Sequence, residues 1–292
     1  MSFKKMGCKA TNLNVRPRFL LKHIKRNSPL LKEVYSIFEH NMFELKQGNY
    51  KDVLKTNISC FAIEVHPYVQ KFRKQRLYSK LADVENVVVP KKIEYVRLED
   101  NKLLSVSKMD SYDTDLFDYL DDNKMINIPN FVRQMTKTIK TIHDAGIYCI
   151  DFKPENILLN VNQQKFFITD IDNALMASDF LDRRILRRQK WVRTPCYEPG
   201  LGKPCTRLEA VRTDLYALSL SIGRIESNYK HGKSYNVFLN PRNGIIDSDF
   251  DDRYKIPLEL PFSRFCANFM VRDLMYKERI VNYHKNILEL IR

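Results

Sequence analysis

The chain has 292 residues, with 49 Lys and Arg against 35 Asp and Glu, a formal net charge of +14, and 44% hydrophobic residues, including 17 Phe and 15 Tyr. That length suits one large domain or one two-lobed unit, and so many aromatic residues exclude a disordered chain. No apolar run approaches the roughly 20 residues that span a bilayer, so no membrane span is expected. Met1–Asn12 lacks the apolar centre of a secretory signal.

Cys8, Cys60, Cys149, Cys196, Cys205 and Cys266 form no Cys-x-x-Cys pair. They read as reduced thiols of an intracellular, cytoplasmic protein rather than as a disulfide frame or a zinc site. The basic excess suits nucleic acid or an acidic, phosphate-rich partner, but the favoured reading is a basic intracellular protein with solvated charged faces. No nucleic-acid motif accompanies it, so nucleic acid is not the favoured partner.

In chain order, residues 1–28 carry Lys4, Lys5, Lys9, Arg16, Arg18, Lys22, Lys25 and Arg26 with no acidic residue. With the helical spacing of Leu30, Leu31, Val34, Ile37 and Phe38 in Pro29–His40, residues 1–40 read as a basic arm and a helix that packs on the first lobe. Strands are expected at Met42–Leu45, Asp52–Thr56 and Ser59–Val65, then a helix at Pro67–Leu81. Two more strand regions come next, Val87–Val89 with Ile93–Val96, then Leu103–Val106. Helices are expected from Asp113 to Leu120 and from Asn130 to Ala145, the second with an apolar stripe of Phe131, Met135, Ile139 and Ile142 and a stop at Gly146.

The chemistry concentrates in Tyr148–Asp172. Asp151, Lys153 and Asn156 stand out between apolar runs, and Asp170 comes after a second run. In a phosphotransferase such a set divides the work: Asp151 orients a hydroxyl and accepts its proton, Lys153 neutralises the moving phosphoryl group, and Asn156 with Asp170 holds Mg²⁺. The segment resembles the protein-kinase pattern His-Arg-Asp-x-Lys-x-x-Asn followed by Asp-Phe-Gly. Lysine two residues after the aspartate resembles the serine/threonine class. The trimmed loops resemble compact kinases of large DNA viruses.

The resemblance implies an α+β, bilobal protein-kinase-like fold: a small antiparallel β-rich N-lobe over residues 41–110 and a mainly helical C-lobe over 111–292. It implies ATP and Mg²⁺ as cofactors and a protein, expected to be acidic, as substrate. Departures are visible. Cys149 and Ile150 replace the His and Arg before the aspartate, so a phosphorylated activation loop has no arginine clamp there. Asp170-Ile171-Asp172 replaces Asp-Phe-Gly; Asp172 would restrict the turn, and it suits a second carboxylate near the metal or a capping or solvent role.

In the small lobe, the glycine-rich loop pattern matches only at Gly48, Tyr50 and Val53. Phe61-Ala62-Ile63-Glu64 resembles Val-Ala-Ile-Lys, with Ala62 in place but glutamate at the lysine position. Lys51 stands where with-no-lysine kinases place their substitute lysine. Lys74 falls where the helix glutamate would be, so Glu64 and Lys74 read either as a charge-reversed pair or as surface charges.

Further on, Asp115 reads as a ribose- or substrate-binding acid or as a helix N-terminal charge. Arg183, Arg184, Arg187, Arg188, Lys190 and Arg193 form a basic stretch suited to acidic substrates or to a solvated helix. The resemblance places Thr194 beside the catalytic loop, Asp214 as acceptor for the loop backbone, and Glu198 as partner of Arg279. It therefore implies phosphate transfer from ATP to serine or threonine. Glu64 and the thinned glycine loop supply the alternative, a pseudokinase that acts as a binding scaffold or allosteric regulator. A small-molecule phosphotransferase of the aminoglycoside-kinase type shares the loop aspartate and asparagine but usually lacks a lysine at the position of Lys153.

Overall fold

A computed structural model of the chain describes residues 28–40, 43–47, 51–68, 70–98, 102–122, 124–148, 150–188 and 203–231. They form a mixed α+β protein with antiparallel sheets, divided into two units. The first takes the described residues up to Gln75 and Pro90–Ser111; the second takes Arg76–Val89 and those from Tyr112 onward.

In the first unit α1 (Pro29–Glu39) precedes β1 (Glu44–Gln47), β2 (Lys51–Lys55) and β3 (Ser59–Pro67). Helix α2 (Gln70–Leu81) is next and continues into the second unit from Arg76; β4 (Lys92–Arg97) and β5 (Lys102–Asp110) complete the first. The strands make one five-stranded antiparallel sheet in the order β1-β2-β3-β5-β4. Because successive strand residues face opposite sides, Leu54, Phe61, Val96, Leu104 and Val106 share one face. Leu30, Leu31 and Val34 of α1 are buried against them.

A helix of 11 residues is too short to hold in water on its own propensity. Here each buried aliphatic side chain contributes about 1.5–3 kcal/mol, so the packed stripe is what keeps α1 folded. Its start is fixed from outside as well. Pro29 opens it with a pre-set φ, and the Leu31 N–H donates to Ser28 Oγ at 3.2 Å. No acidic residue lies in its first turn; Glu94 of β4 fills that role, accepting from the Leu30 N–H at 2.9 Å and from the Ser28 hydroxyl.

The second unit contains β6 (Thr114–Asp115), α3 (Leu116–Asp121), α4 (Ile128–Asp144), β7 (Ile147–Tyr148), β8 (Ile157–Asn160), β9 (Lys165–Ile168), β10 (Leu175–Met176), α5 (Arg183–Arg188) and α6 (Arg207–His231). Strands β6, β8 and β9 make one small sheet and β7 with β10 another. The α4 stripe Phe131, Met135, Ile139 and Ile142 is fully buried in a core it shares with Leu215, Leu218, Ile222 and Ile225 of α6. Asn127 caps α4 through the Asn130 N–H at 2.9 Å. Gly146 ends it at φ 75°, where any Cβ would sit 3.1 Å from that of Ala177.

Some elements differ from expectation. Val87–Val89 is no strand of the large sheet: Val87 makes a parallel bridge to Ile168 of β9, and the Val88 N–H donates to the Ile168 carbonyl at 2.8 Å. Burial of Val84 and Val88 holds this stretch in the second unit. Helix α2 starts at Gln70 because Pro67 still pairs with Lys102 in the β3–β5 ladder. Helix α3 starts at Leu116 because Thr114 and Asp115 pair with β8. Among the described residues no helix is long and apolar enough to cross a membrane.

Candidate active site

The loop that carries the candidate catalytic residues leaves β7, which is held in register by β10 (Tyr148 opposite Leu175, Ile147 opposite Met176). Ile150 and Phe152 are each 1% exposed and pin the loop from beneath. Between and beside them, Asp151 and Lys153 point toward more open surroundings, with side chains 12% and 21% exposed. A single helical turn, Pro154–Asn156, then delivers the chain into β8. Alternation of apolar and polar residues thus sorts the loop into anchors and working groups.

Asp151 has φ 47°, a left-handed conformation that is uncommon outside glycine. The surroundings hold it there. The Asn156 side-chain amide donates to the Asp151 carbonyl at 2.9 Å and to Oδ2 at 3.4 Å, and Lys153 Nζ lies 3.3 Å from the same oxygen. Beneath the loop, Asp214 of α6 is 1% exposed. Its Oδ1 accepts from the Ile150 N–H at 3.0 Å, and its Oδ2 is 2.9 Å from His143 Nε2 of α4. The His143 ring stacks on Tyr148 with centroids 5.5 Å apart. A buried carboxylate with both oxygens engaged fixes the loop backbone rigidly.

Asp170 is brought to the same place by the β8–β9 hairpin. Ile157 pairs with Ile168, and one step further the Thr169 N–H donates to the Asn156 carbonyl at 2.9 Å. Asp170 also has positive φ, 58°. Ile171 is buried, and Asp172 Oδ1 accepts from the Tyr78 hydroxyl of α2. This contact with Tyr78 is not among the roles that the sequence suggested for Asp172.

The donor set around Asn156 and Asp170 bears on a cation. Asn156 is 7% exposed and its amide nitrogen is spent on Asp151, so its carbonyl oxygen is the group that remains for a cation. Among the described residues no group of three or more His, Cys, Asp or Glu is gathered as a metal nest. One amide oxygen with one carboxylate suits Mg²⁺, which keeps several waters and takes the rest of its shell from substrate phosphates. It does not suit a structural zinc ion.

In the first unit, Lys51 pairs with Glu64 and Val53 with Ala62 across β2 and β3, so these residues share the sheet face opposite α1. Glu64 accepts from Lys74 Nζ of α2, and the two side chains are 17% and 9% exposed. The charge-reversed pair is therefore formed, and the reading of both as surface charges is set aside. On the same face, burial pushes the Cys60 thiol up from its ordinary range, while Lys55 and Lys51 pull it down.

Gly48 and Tyr50 lie outside the described residues, as do Cys149, Lys190, Arg193, Thr194, Glu198 and Arg279. Asp115 caps α3, accepting from the Asp118 N–H at 2.8 Å, in keeping with the helix-terminal alternative. Arg183, Arg184 and Arg187 are exposed on α5. The sequence pointed to Asp214 but missed His143 and Tyr78. His143 is the last-turn histidine of α4, just off its apolar stripe; Tyr78 carries no sequence signal beyond a polar aromatic on α2.

Compared with models of known protein families and with curated proteins, the chain matches none.

Proposed function

We propose that this chain is a divergent protein kinase that transfers the γ-phosphate of ATP to serine or threonine hydroxyls of a protein. In this reading the first unit is the small β-rich lobe and the second the larger helical lobe of a protein-kinase-like fold. The observation that carries it is the arrangement around Asp151: a carboxylate at positive φ, oriented by Asn156 and Lys153, on a loop whose backbone is tied to buried Asp214. A solvated surface loop has no physical need for that many constraints on one acid.

Asp151 orients the acceptor hydroxyl and takes its proton, and Lys153 balances charge on the phosphoryl oxygens. Asn156 and Asp170 would hold Mg²⁺, which would supply neutralisation of the phosphate charge. Lys51 supplies the small-lobe cation, and Val53 with Ala62 offers an apolar surface to the base. The resemblance also assigns Gly48 and Tyr50 to nucleotide binding. Exposed Arg183, Arg184 and Arg187 favour an acidic protein substrate.

The second reading, a pseudokinase scaffold, draws on Glu64, which places a carboxylate where a cation is expected. Its pairing with Lys74 weakens that objection, because the carboxylate's charge is compensated. The test is label transfer from ATP to an acidic test protein with Mg²⁺, using wild type and Asp151→Ala. Transfer by wild type that Asp151→Ala loses by at least a hundredfold supports the enzyme. A wild type that binds Mg²⁺-ATP but transfers nothing to protein supports the scaffold.

A further inference from the structure

We propose that Tyr78 is a positioning residue for the cation-binding carboxylate, acting through Asp172; this rests on the phosphotransfer reading of Asp170. The Tyr78 hydroxyl donates to Asp172 Oδ1 across 94 positions of sequence, and both residues belong to the second unit. Between Thr169, bonded to Asn156, and Asp172 lies the short segment whose geometry decides where the Asp170 carboxylate points.

Asp170 sits at φ 58°, ψ 38° and has no side-chain cap bond to the turn it opens. A non-glycine residue in that region is held there by its neighbours, at a cost of order 1–3 kcal/mol. On the N-terminal side the restraint is the Thr169 N–H on the Asn156 carbonyl. On the C-terminal side there are two. Ile171 is 1% exposed in the core, and the Ala174 N–H returns to the Ile171 carbonyl at 3.0 Å. The second is the Asp172 carboxylate on Tyr78. Glycine at position 172 would have no side chain to tether and would widen the accessible φ. The carboxylate does the reverse, clamping the turn to α2.

Tyr78 is suited to the task. Its ring is partly buried against the core that includes Leu77 and Leu81, so the hydroxyl is presented from a fixed helix rather than from a mobile side chain. The partner it holds lies two residues from Asp170, which makes the helix a template for the direction of the cation ligand.

The experiment titrates Mg²⁺ at fixed ATP and follows the nucleotide-dependent rise in melting temperature of the full chain. Wild type, Tyr78→Phe, Asp172→Ala and the double variant are compared, with Asp170→Asn as the ligand-loss control. Tyr78→Phe is expected to raise the Mg²⁺ midpoint about three- to tenfold, the size of one lost hydrogen bond. Since Tyr78 acts through Asp172, the double variant is expected to match Asp172→Ala alone rather than to add. A purely structural role would lower the ligand-free melting temperature and leave the Mg²⁺ midpoint in place, which overturns the proposal. So does additivity in the double variant. Wild type without any Mg²⁺-ATP response overturns the phosphotransfer reading, and the role of Tyr78 with it.

Discussion

Lys51 on β2 stands directly opposite Glu64 on β3, and Glu64 is in turn bonded to Lys74 of α2. Directly opposed strand residues have Cβ atoms about 4.5–5.5 Å apart, so Lys51 and Glu64 project from neighbouring points of one face, beside the Glu64–Lys74 pair. The three side chains together carry one net positive charge on that face, which suits a phosphate. Lys51→Ala is therefore expected to weaken Mg²⁺-ATP binding by about tenfold or more, the size of one charge-assisted contact. Lys74→Met should weaken it as well, because it takes away the cation bonded to Glu64. Adding Glu64→Gln to Lys74→Met should recover most of that loss. Isothermal titration with Mg²⁺-ATP measures all of these; wild-type affinity in Lys51→Ala would remove Lys51 from the site.

Asp214 has no contact with any reacting group in this reading, yet its loss should be among the most damaging to the fold. Replacing it with Ala leaves the Ile150 N–H and the His143 ring without their buried acceptor. Each stranded buried polar group costs about 1–3 kcal/mol, so roughly 2–6 kcal/mol of stability is expected to go for the two. Chemical denaturation gives that number directly. Asp214→Asn keeps an acceptor oxygen for Ile150 and should lose distinctly less; equal losses would mean that the acceptor is not what matters.

What could be read from sequence divides along physical lines. The α4 stripe, the strands around Phe61 and the Asp151–Asn156 offsets were legible because period, apolar content and spacing are local properties. The Glu64–Lys74 pair was visible only as one of two options, since helix-to-strand register cannot be counted along a chain. The fate of Val87–Val89 was misread because three valines look alike in a sheet and in a core; Pro90 and the bridge to Ile168 decide it. His143 and Tyr78 were missed for the same reason. Their meaning comes from partners 71 and 94 positions away.

The start of α1 should respond to acid through Glu94. Burial raises the pKa of its carboxyl, but the bonds from Lys92, Ser28 and the Leu30 N–H outweigh that and leave it below its ordinary value of 4.5. A carboxyl depressed on folding contributes stability that is fully present above the unfolded pKa and is lost as pH falls through the folded one. The wild type should therefore be more stable than Glu94→Gln at pH 7. The difference should hold to about that ordinary value of 4.5 and shrink below it. Melting curves of the two proteins between pH 7 and pH 3 test this. A gap that stays constant across the range would assign the effect to packing and not to charge.

Asp151 offers the sharpest separation between stability and chemistry. It holds φ 47°, a conformation that costs an ordinary residue about 1–2 kcal/mol and glycine almost nothing. Asp151→Gly removes that strain and keeps the carbonyl that accepts from Asn156, while it gives up the side-chain contacts to Asn156 and Lys153. It also adds chain entropy to the unfolded state, which offsets part of the gain. The net change in stability is expected to lie within about 1 kcal/mol of zero. Phosphate transfer, which needs the carboxylate, should fall at least a hundredfold. Asp151→Ala keeps the strain and loses the same contacts, so it should be the less stable of the two with equally low activity. Thermal melts beside label transfer decide the matter: an Asp151→Gly protein that melts well below Asp151→Ala would show that φ 47° stores no strain, and two variants that both melt far below wild type would show that the carboxylate is there to hold the fold.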